Sequence, residues 1–212
     1  MAVYDLEEQE QLDDLKAWWQ QYGKYVGLAL SAVALVLLAS IGWRWYQQNQ
    51  SAQASVLYQA VSQAGRDNDV AKAKEPALQI EDRYASSGYA PRAALLYAKL
   101  LHDAGDYAGT RTQLQWAIDH SGEDELKSIA RFRLAESLLD EKQYDQALAT
   151  IDVKTDDAFA GVFADLRGDI LSAAGKPAEA KAAYQLALSK VDPKSPYRGF
   201  IQVKYDALGG AQ

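Results

Sequence analysis

Two histidines, 29 acidic side chains and no cysteine are what this 212-residue chain offers to chemistry. His102 and His120 lie 18 positions apart, and no HExxH-type pairing accompanies either, so zinc hydrolysis finds no scaffold. Without cysteine there is no thiolate nucleophile, no thiolate metal site and no disulfide framework. GxSxG, SxxK and a glycine-rich phosphate loop are all missing. The run Glu123-Asp124-Glu125 follows Ser121-Gly122 at a helix start, where acids complement the helix dipole. General acid–base work would need burial to shift such carboxyls, and an exposed helix start does not supply it. His102 falls late in a helix and reads as a solvated groove residue. We expect no catalytic residue, no metal and no cofactor. The opposing reading is an enzyme site assembled across repeats, in which His102 or Asp103 would be the first polar group to test.

The chain carries a net charge of −7. An acidic surface argues against nucleic acid as a partner and against docking on anionic lipid, both of which want basic clusters. The lack of cysteine is compatible with an oxidising compartment.

The elements that would position any site begin with Val26 to Trp43, VGLALSAVALVLLASIGW, which has no charge and no proline between Lys24 and Arg44. A hydrocarbon core of ~30 Å needs about 20 helical residues, so this run is just long enough to span a bilayer. Trp18, Trp19, Tyr22 and Tyr25 precede it, and Trp43, Trp45 and Tyr46 follow, as interfacial aromatic belts do. A buried core helix is the alternative. A cleaved signal peptide fits poorly, because the leading segment is acidic and Ser40-Ile41-Gly42 runs into bulky Trp43. Lys16 and Lys24 before the span against Arg44 after it favour an inside N-terminus by a slim margin. Three segments follow: a cytoplasmic tail over 1–24, a transmembrane helix over 25–45 and a soluble domain over 46–212. In the tail Leu12, Leu15, Trp19 and Tyr22 share a helical spacing, with Trp18 beside them. This surface either meets a cytoplasmic partner or lies along the membrane.

Beyond Gln47 the chain is alanine-rich and free of strand-like alternation. Three segments repeat a pattern of helix, tight turn and helix: Leu95 to Asp119, Arg131 to Asp152 and Ala164 to Leu188. Anchoring on Tyr107, Tyr144 and Pro177 aligns Ala98, Ala135 and Gly168, then Leu101, Leu138 and Leu171. Helices that cross closely tolerate only a small side chain at the contact, which accounts for the first set. Ala147 and Ala180 hold the matching site in the second helices, with Thr110 in the first repeat. Leu114, Ile151 and Tyr184 fill the space between repeats. Asp106 is placed as an N-cap and Pro177 at an early helical position. A further pair precedes these, with Ser51 to Ala64 as its first helix, a loop near Gly65 to Asn68 and a helix through Leu78 to Tyr84. Ser195 and Pro196 open a closing helix over Tyr197 to Leu208, and Gly209-Gly210 end it. The fold class is therefore all-α: one N-terminal transmembrane helix, then an α-solenoid of helix pairs with a C-terminal capping helix.

With Gly105-Asp106-Tyr107 at its first turn, this pattern resembles the tetratricopeptide repeat. The later turns read as departures, with Lys142-Gln143 and Lys176-Pro177 in place of Gly-Asp, and no repeat-opening tryptophan. The resemblance implies a concave partner-binding groove. Carried over position by position, its lining is Arg92, Leu95, Lys99, His102 and Asp103, then Ile129, Phe132, Glu136, Leu139 and Asp140, then Val162, Asp165, Asp169 and Ser172. Phe132 and Leu139 are equally readable as core. The lining mixes apolar residues with both charge signs and lacks a Lys/Arg clamp for a C-terminal carboxylate.

The whole layout, with LDDLKAWWQQYGK before the span, GWRWYQ after it and degenerate repeats to the end, resembles the YfgM type of ancillary SecYEG translocon subunit. That resemblance implies a bacterial inner-membrane protein with its N-terminus in the cytoplasm and its repeats in the periplasm. It also implies association with the SecYEG translocon and with a PpiD-type periplasmic chaperone, and transfer of translocating polypeptides. Leu12 to Tyr22 would then face a cytoplasmic stress-response regulator. The alternative is an envelope-assembly scaffold serving cell-wall or outer-membrane machinery through the same groove.

Overall fold

The computed structural model describes residues 3–153 and 157–209, which form nine α-helices and no strand. They are α1 (Val3–Arg66), α2 (Val70–Arg83), α3 (Tyr89–Asp103), α4 (Tyr107–His120), α5 (Asp124–Asp140), α6 (Tyr144–Ile151), α7 (Asp157–Ala173), α8 (Pro177–Lys190) and α9 (Tyr197–Ala207). Gly210, expected in the frayed tail, lies outside the described residues. The chain divides into two units, Met1–Asn49 and Gln50–Gln212.

In the first unit the apolar run is bare. None of its 18-residue window is buried, and Leu28 and Val36 are 73% and 68% exposed. No proline occurs before Pro76, so nothing interrupts α1. The tail helix, the span and the first repeat helix expected over Ser51 to Ala64 are stretches of one helix.

The second unit is built from helix pairs. Val61 and Ala64 at the end of α1 cluster with Ala73, Ala77 and Ile80 of α2 and with Ala90, Ala93 and Tyr97 of α3. α2 starts at Val70, ahead of the expected Leu78, because Asp69 caps it by accepting from the Lys72 N–H at 3.0 Å. Pro76 is carried inside it. The three clearer pairs are α3/α4, α5/α6 and α7/α8, and α9 closes the stack against α8.

The small residues sit where close crossing requires them. Ala98 and Ala135 are buried, as are Ala147, Ala180 and Thr110 in the second helices. At Gly168 the approach is closest: a Cβ there would meet Cδ1 of Tyr184 at 2.5 Å. Leu101, Leu138, Leu171, Leu114, Ile151 and Tyr184 are all buried between or within pairs.

The turns correct one expectation. Gly105, Lys142 and Gly175 share a left-handed backbone, with φ of 80°, 61° and 75°. Gly175 therefore keeps the glycine of the third turn, and the residues that replace Gly-Asp there are Gly175-Lys176, not Lys176-Pro177. Lys142 adopts a conformation that glycine takes at lower cost. Asp106 accepts from the Gly109 N–H at 2.9 Å, as its capping role demands. Ser195 accepts from the Tyr197 N–H at 3.3 Å, and Pro196 already has helical torsions. α6 is the odd member, ending at Ile151 after 8 residues where α4 and α8 have 14.

Replacing Gly168 with alanine should cost about 1–3 kcal/mol by overpacking against Tyr184. Gly122→Ala, with nothing within 4 Å of a new Cβ, should stay within about 0.5 kcal/mol. Urea unfolding of both variants measures the contrast, and equal midpoints would refute the crossing assignment.

Candidate functional site

First helices of successive repeats touch, α3 against α5 and α5 against α7. Their shared face holds a cavity of about 390 Å³. Lys99 and His102 of α3, Glu136, Leu139 and Asp140 of α5, and Asp169 of α7 line it, so the structure brings these six expected groove residues together. Ala98, Thr110, Leu114, Arg133 and Leu166 complete the wall.

The remaining groove candidates lie elsewhere. Arg92 forms a two-pronged pair with Glu123, both contacts at 2.8 Å. That contact raises Arg92 and lowers Glu123 from their ordinary values. Leu95 is buried at 7% exposure. Asp103 is bound by Lys99 one turn away on α3. Ile129, Phe132 and Val162 pack half-buried on the middle core, and Leu139 does so while also lining the cavity. Ser172 is exposed. Asp165 is buried at 2% exposure and faces α9.

The third repeat's acids are occupied from inside the protein. Lys204 of α9 reaches Asp165 at 2.9 and 3.1 Å and Asp169 at 2.7 Å. The Tyr197 hydroxyl donates to Asp165, and the Tyr184 hydroxyl donates to Asp169 at 2.8 Å. Burial pulls the Lys204 ammonium down, but Asp169 and Asp165 outweigh it and hold it above its usual range. Both phenols are pushed up, first by burial and then by the carboxylates they serve. Sequence reasoning missed this cluster. Its signal was the spacing Tyr197, Ile201, Lys204, which puts a phenol, an apolar anchor and a cation on one face of α9.

Within the cavity His102 Nε2 lies 3.0 Å from Asp140 Oδ2. Arg133 makes a long contact of 3.5 Å to the Leu95 carbonyl. Glu136 is exposed on one side, yet partial desolvation holds its carboxyl above the usual range, with Arg133 opposing the effect. Thr110 turns its hydroxyl to the Asp106 carbonyl at 2.8 Å, so it is satisfied within its own helix. Nothing here pairs a nucleophile with a base, and among the described residues no three His, Asp or Glu side chains gather as a metal site. The arrangement presents an apolar wall, flanking charges and an open side.

Another buried carboxyl lies away from the groove. Glu81 of α2 is pushed up to about 7 by burial, against weaker opposing effects of Gln113 and His120.

Residues 16–210 match the family model of the tetratricopeptide repeat-like domain. A protein of Neisseria gonorrhoeae named "Ancillary SecYEG translocon subunit" is 32% identical over 98% of this chain and 100% of its own length. Proteins of the same name from Haemophilus influenzae and Escherichia coli are 30% and 27% identical, over 87% and 98% of this chain and 90% and 99% of theirs. Among solved structures, the "MamA RS-1 ArsTM double mutant" superposes with a TM-score of 0.51 at 18% identity, over 74% of this chain and 88% of that one. This last likeness concerns the fold alone.

Two outcomes follow from the electrostatics. Lys204→Met leaves the buried Asp165 without its cation and should cost about 3–5 kcal/mol, read as a lower urea midpoint with loss of α9 helicity. For Glu81 the folded state prefers the protonated form. Stability is therefore highest below its unfolded value near 4.5 and falls as pH rises through about 7. Glu81→Gln should remove that fall and gain about 1–2 kcal/mol at pH 8, allowing for partial solvation. Identical pH profiles for the variant and the parent would refute it.

Proposed function

The chain belongs to the family of ancillary SecYEG translocon subunits, and from that we propose that it is a non-enzymatic, membrane-tethered subunit whose groove receives polypeptides leaving the channel. It associates with the translocon and crosses the inner membrane once, through the run from Val26 to Trp43. Its tail lies in the cytoplasm and its repeats in the periplasm, the orientation that Lys16 and Lys24 favour. The observation that carries the reading is the cavity, where Leu114, Leu139 and Leu166 stand beside side chains of both signs. Such a surface suits an extended or partly unfolded chain. Tethering keeps it near the exit, where a high effective concentration lets weak binding suffice.

From the groove, clients pass to a membrane-anchored chaperone of the PpiD type. On the other side of the membrane Leu12, Leu15, Trp18, Trp19 and Tyr22 are exposed by 43–61%, with Trp18 and Tyr22 rings 5.7 Å apart. This aromatic face is the surface for a cytoplasmic stress-response regulator.

A photo-crosslinking residue at Leu139, with Glu125 as an exposed control, tests the receiving role in cells carrying a stalled secretory chain. An adduct with the stalled chain is expected from position 139 and not from 125, and SecYEG is expected to co-purify in mild detergent. Adducts with cell-wall or outer-membrane machinery would instead establish the scaffold alternative. The absence of any client adduct would sink the receiving role.

A further inference from the structure

Resting on that reading of the groove, we propose that the cavity selects client segments by a basic side chain set among apolar neighbours, with Glu136 as its counter-ion. The charges around the cavity favour a cation. Of the lining residues, Glu136, Asp140 and Asp169 face Lys99 and Arg133, with His102 beside Asp140. The carboxylates outnumber the lysine and arginine groups.

The pairing pattern then singles out one acid. Lys99 is taken by Asp103, Lys204 is shared between Asp165 and Asp169, and Asp140 meets His102. Among the described residues Glu136 accepts no hydrogen bond, although it lines the cavity. Arg133, its neighbour one turn back on α5, makes only the long contact to the Leu95 carbonyl. Even with that guanidinium near, partial desolvation keeps Glu136 above the usual carboxylate range, while its exposed side stays open to a ligand. An incoming ammonium or guanidinium would supply the missing charge-assisted hydrogen bond.

The apolar part of the cavity fits the same ligand. Leu139 and Leu166 line it, and they can cover the aliphatic stem of a lysine or arginine while its head reaches Glu136. A volume of about 390 Å³ falls within the ~300–1,000 Å³ of ordinary ligand sites and admits one long side chain with adjoining backbone. An acidic client side chain would be repelled by Glu136, the lining carboxylate without a protein partner among the described residues.

The test uses the full-length protein in lipid nanodiscs and three fluorescent, otherwise apolar peptides with a central Lys, Gln or Glu. By anisotropy at low salt, the Lys peptide should bind about tenfold more tightly than the Gln peptide, and the Glu peptide should bind weakest. Raising salt to about 0.5 M should compress the difference. Glu136→Gln should remove most of the Lys preference and leave the Gln-peptide affinity in place. Equal affinities, or a preference for Glu, would overturn the inference while leaving the client-receiving role standing. Failure of all three peptides to bind would overturn that role, and the inference with it. The salt dependence is read on the unmodified protein, so a Glu136 variant that folds poorly leaves the inference falsifiable.

Discussion

How closely the two helices of a pair can approach governs the repeat unit. Close crossing needs a residue without bulk at the contact, and Ala98, Ala135 and Gly168 provide it from the first helices. The consequences reach beyond packing. Because Gly168 has no side chain, the Tyr184 ring lies against its backbone, and that position lets the phenol reach Asp169. One absent methyl group thus sets both the spacing of α7 and α8 and the partner of a groove-side carboxylate. Where the crossing residue is alanine, no such tyrosine fits, and Leu114 and Ile151 hold the corresponding space.

Ending the stack raises a second problem. A repeat array leaves its last pair with an open face, and here that face includes Asp165, almost entirely removed from water. A buried carboxylate is costly unless paired and hydrogen-bonded. α9 supplies both through Lys204 and Tyr197, and the same lysine serves Asp169. Capping and charge compensation are therefore one structural act. It makes the groove unequal along its length, because the third repeat's acids are engaged by α9 while α3 and α5 keep their polar groups at the cavity.

Much of this was legible in the sequence, and the misses have physical causes. The span was readable because eighteen uncharged residues between aromatic belts admit few other environments. The crossing residues, the Asp106 cap and the closing helix were readable because each rests on local rules of size, hydrogen bonding or torsion. The third turn was misread by one residue although the anchor on Pro177 already sets Gly175 opposite Gly105, and the shared left-handed backbone restores that register. The unbroken α1 was hidden because the membrane lead-in, the span and the first repeat differ in composition, while helix continuity depends only on the absence of a stop signal. The fate of Asp165 could not be read from helix-A positions at all. Its partners come from more than thirty residues downstream, and long-range pairing leaves no mark on local spacing.

The mixed polarity of the cavity bears on the kind of binding it can support. A wholly apolar groove of this size would gain most from any exposed hydrophobic segment and release it slowly, and it would invite association between copies of the chain. Placing Glu136, Asp140, Lys99 and His102 around Leu139 and Leu166 lowers the area-driven part of the affinity and ties the remainder to charge. Affinity differences among related ligands are expressed mainly in how fast they leave. In the receiving role proposed for this groove, rapid release would matter more than tight capture, since a tether beside the channel would supply the concentration. A groove that is only partly apolar and only partly charge-satisfied is therefore the form that the proposed receiving role would call for, since such a surface lets its ligand go.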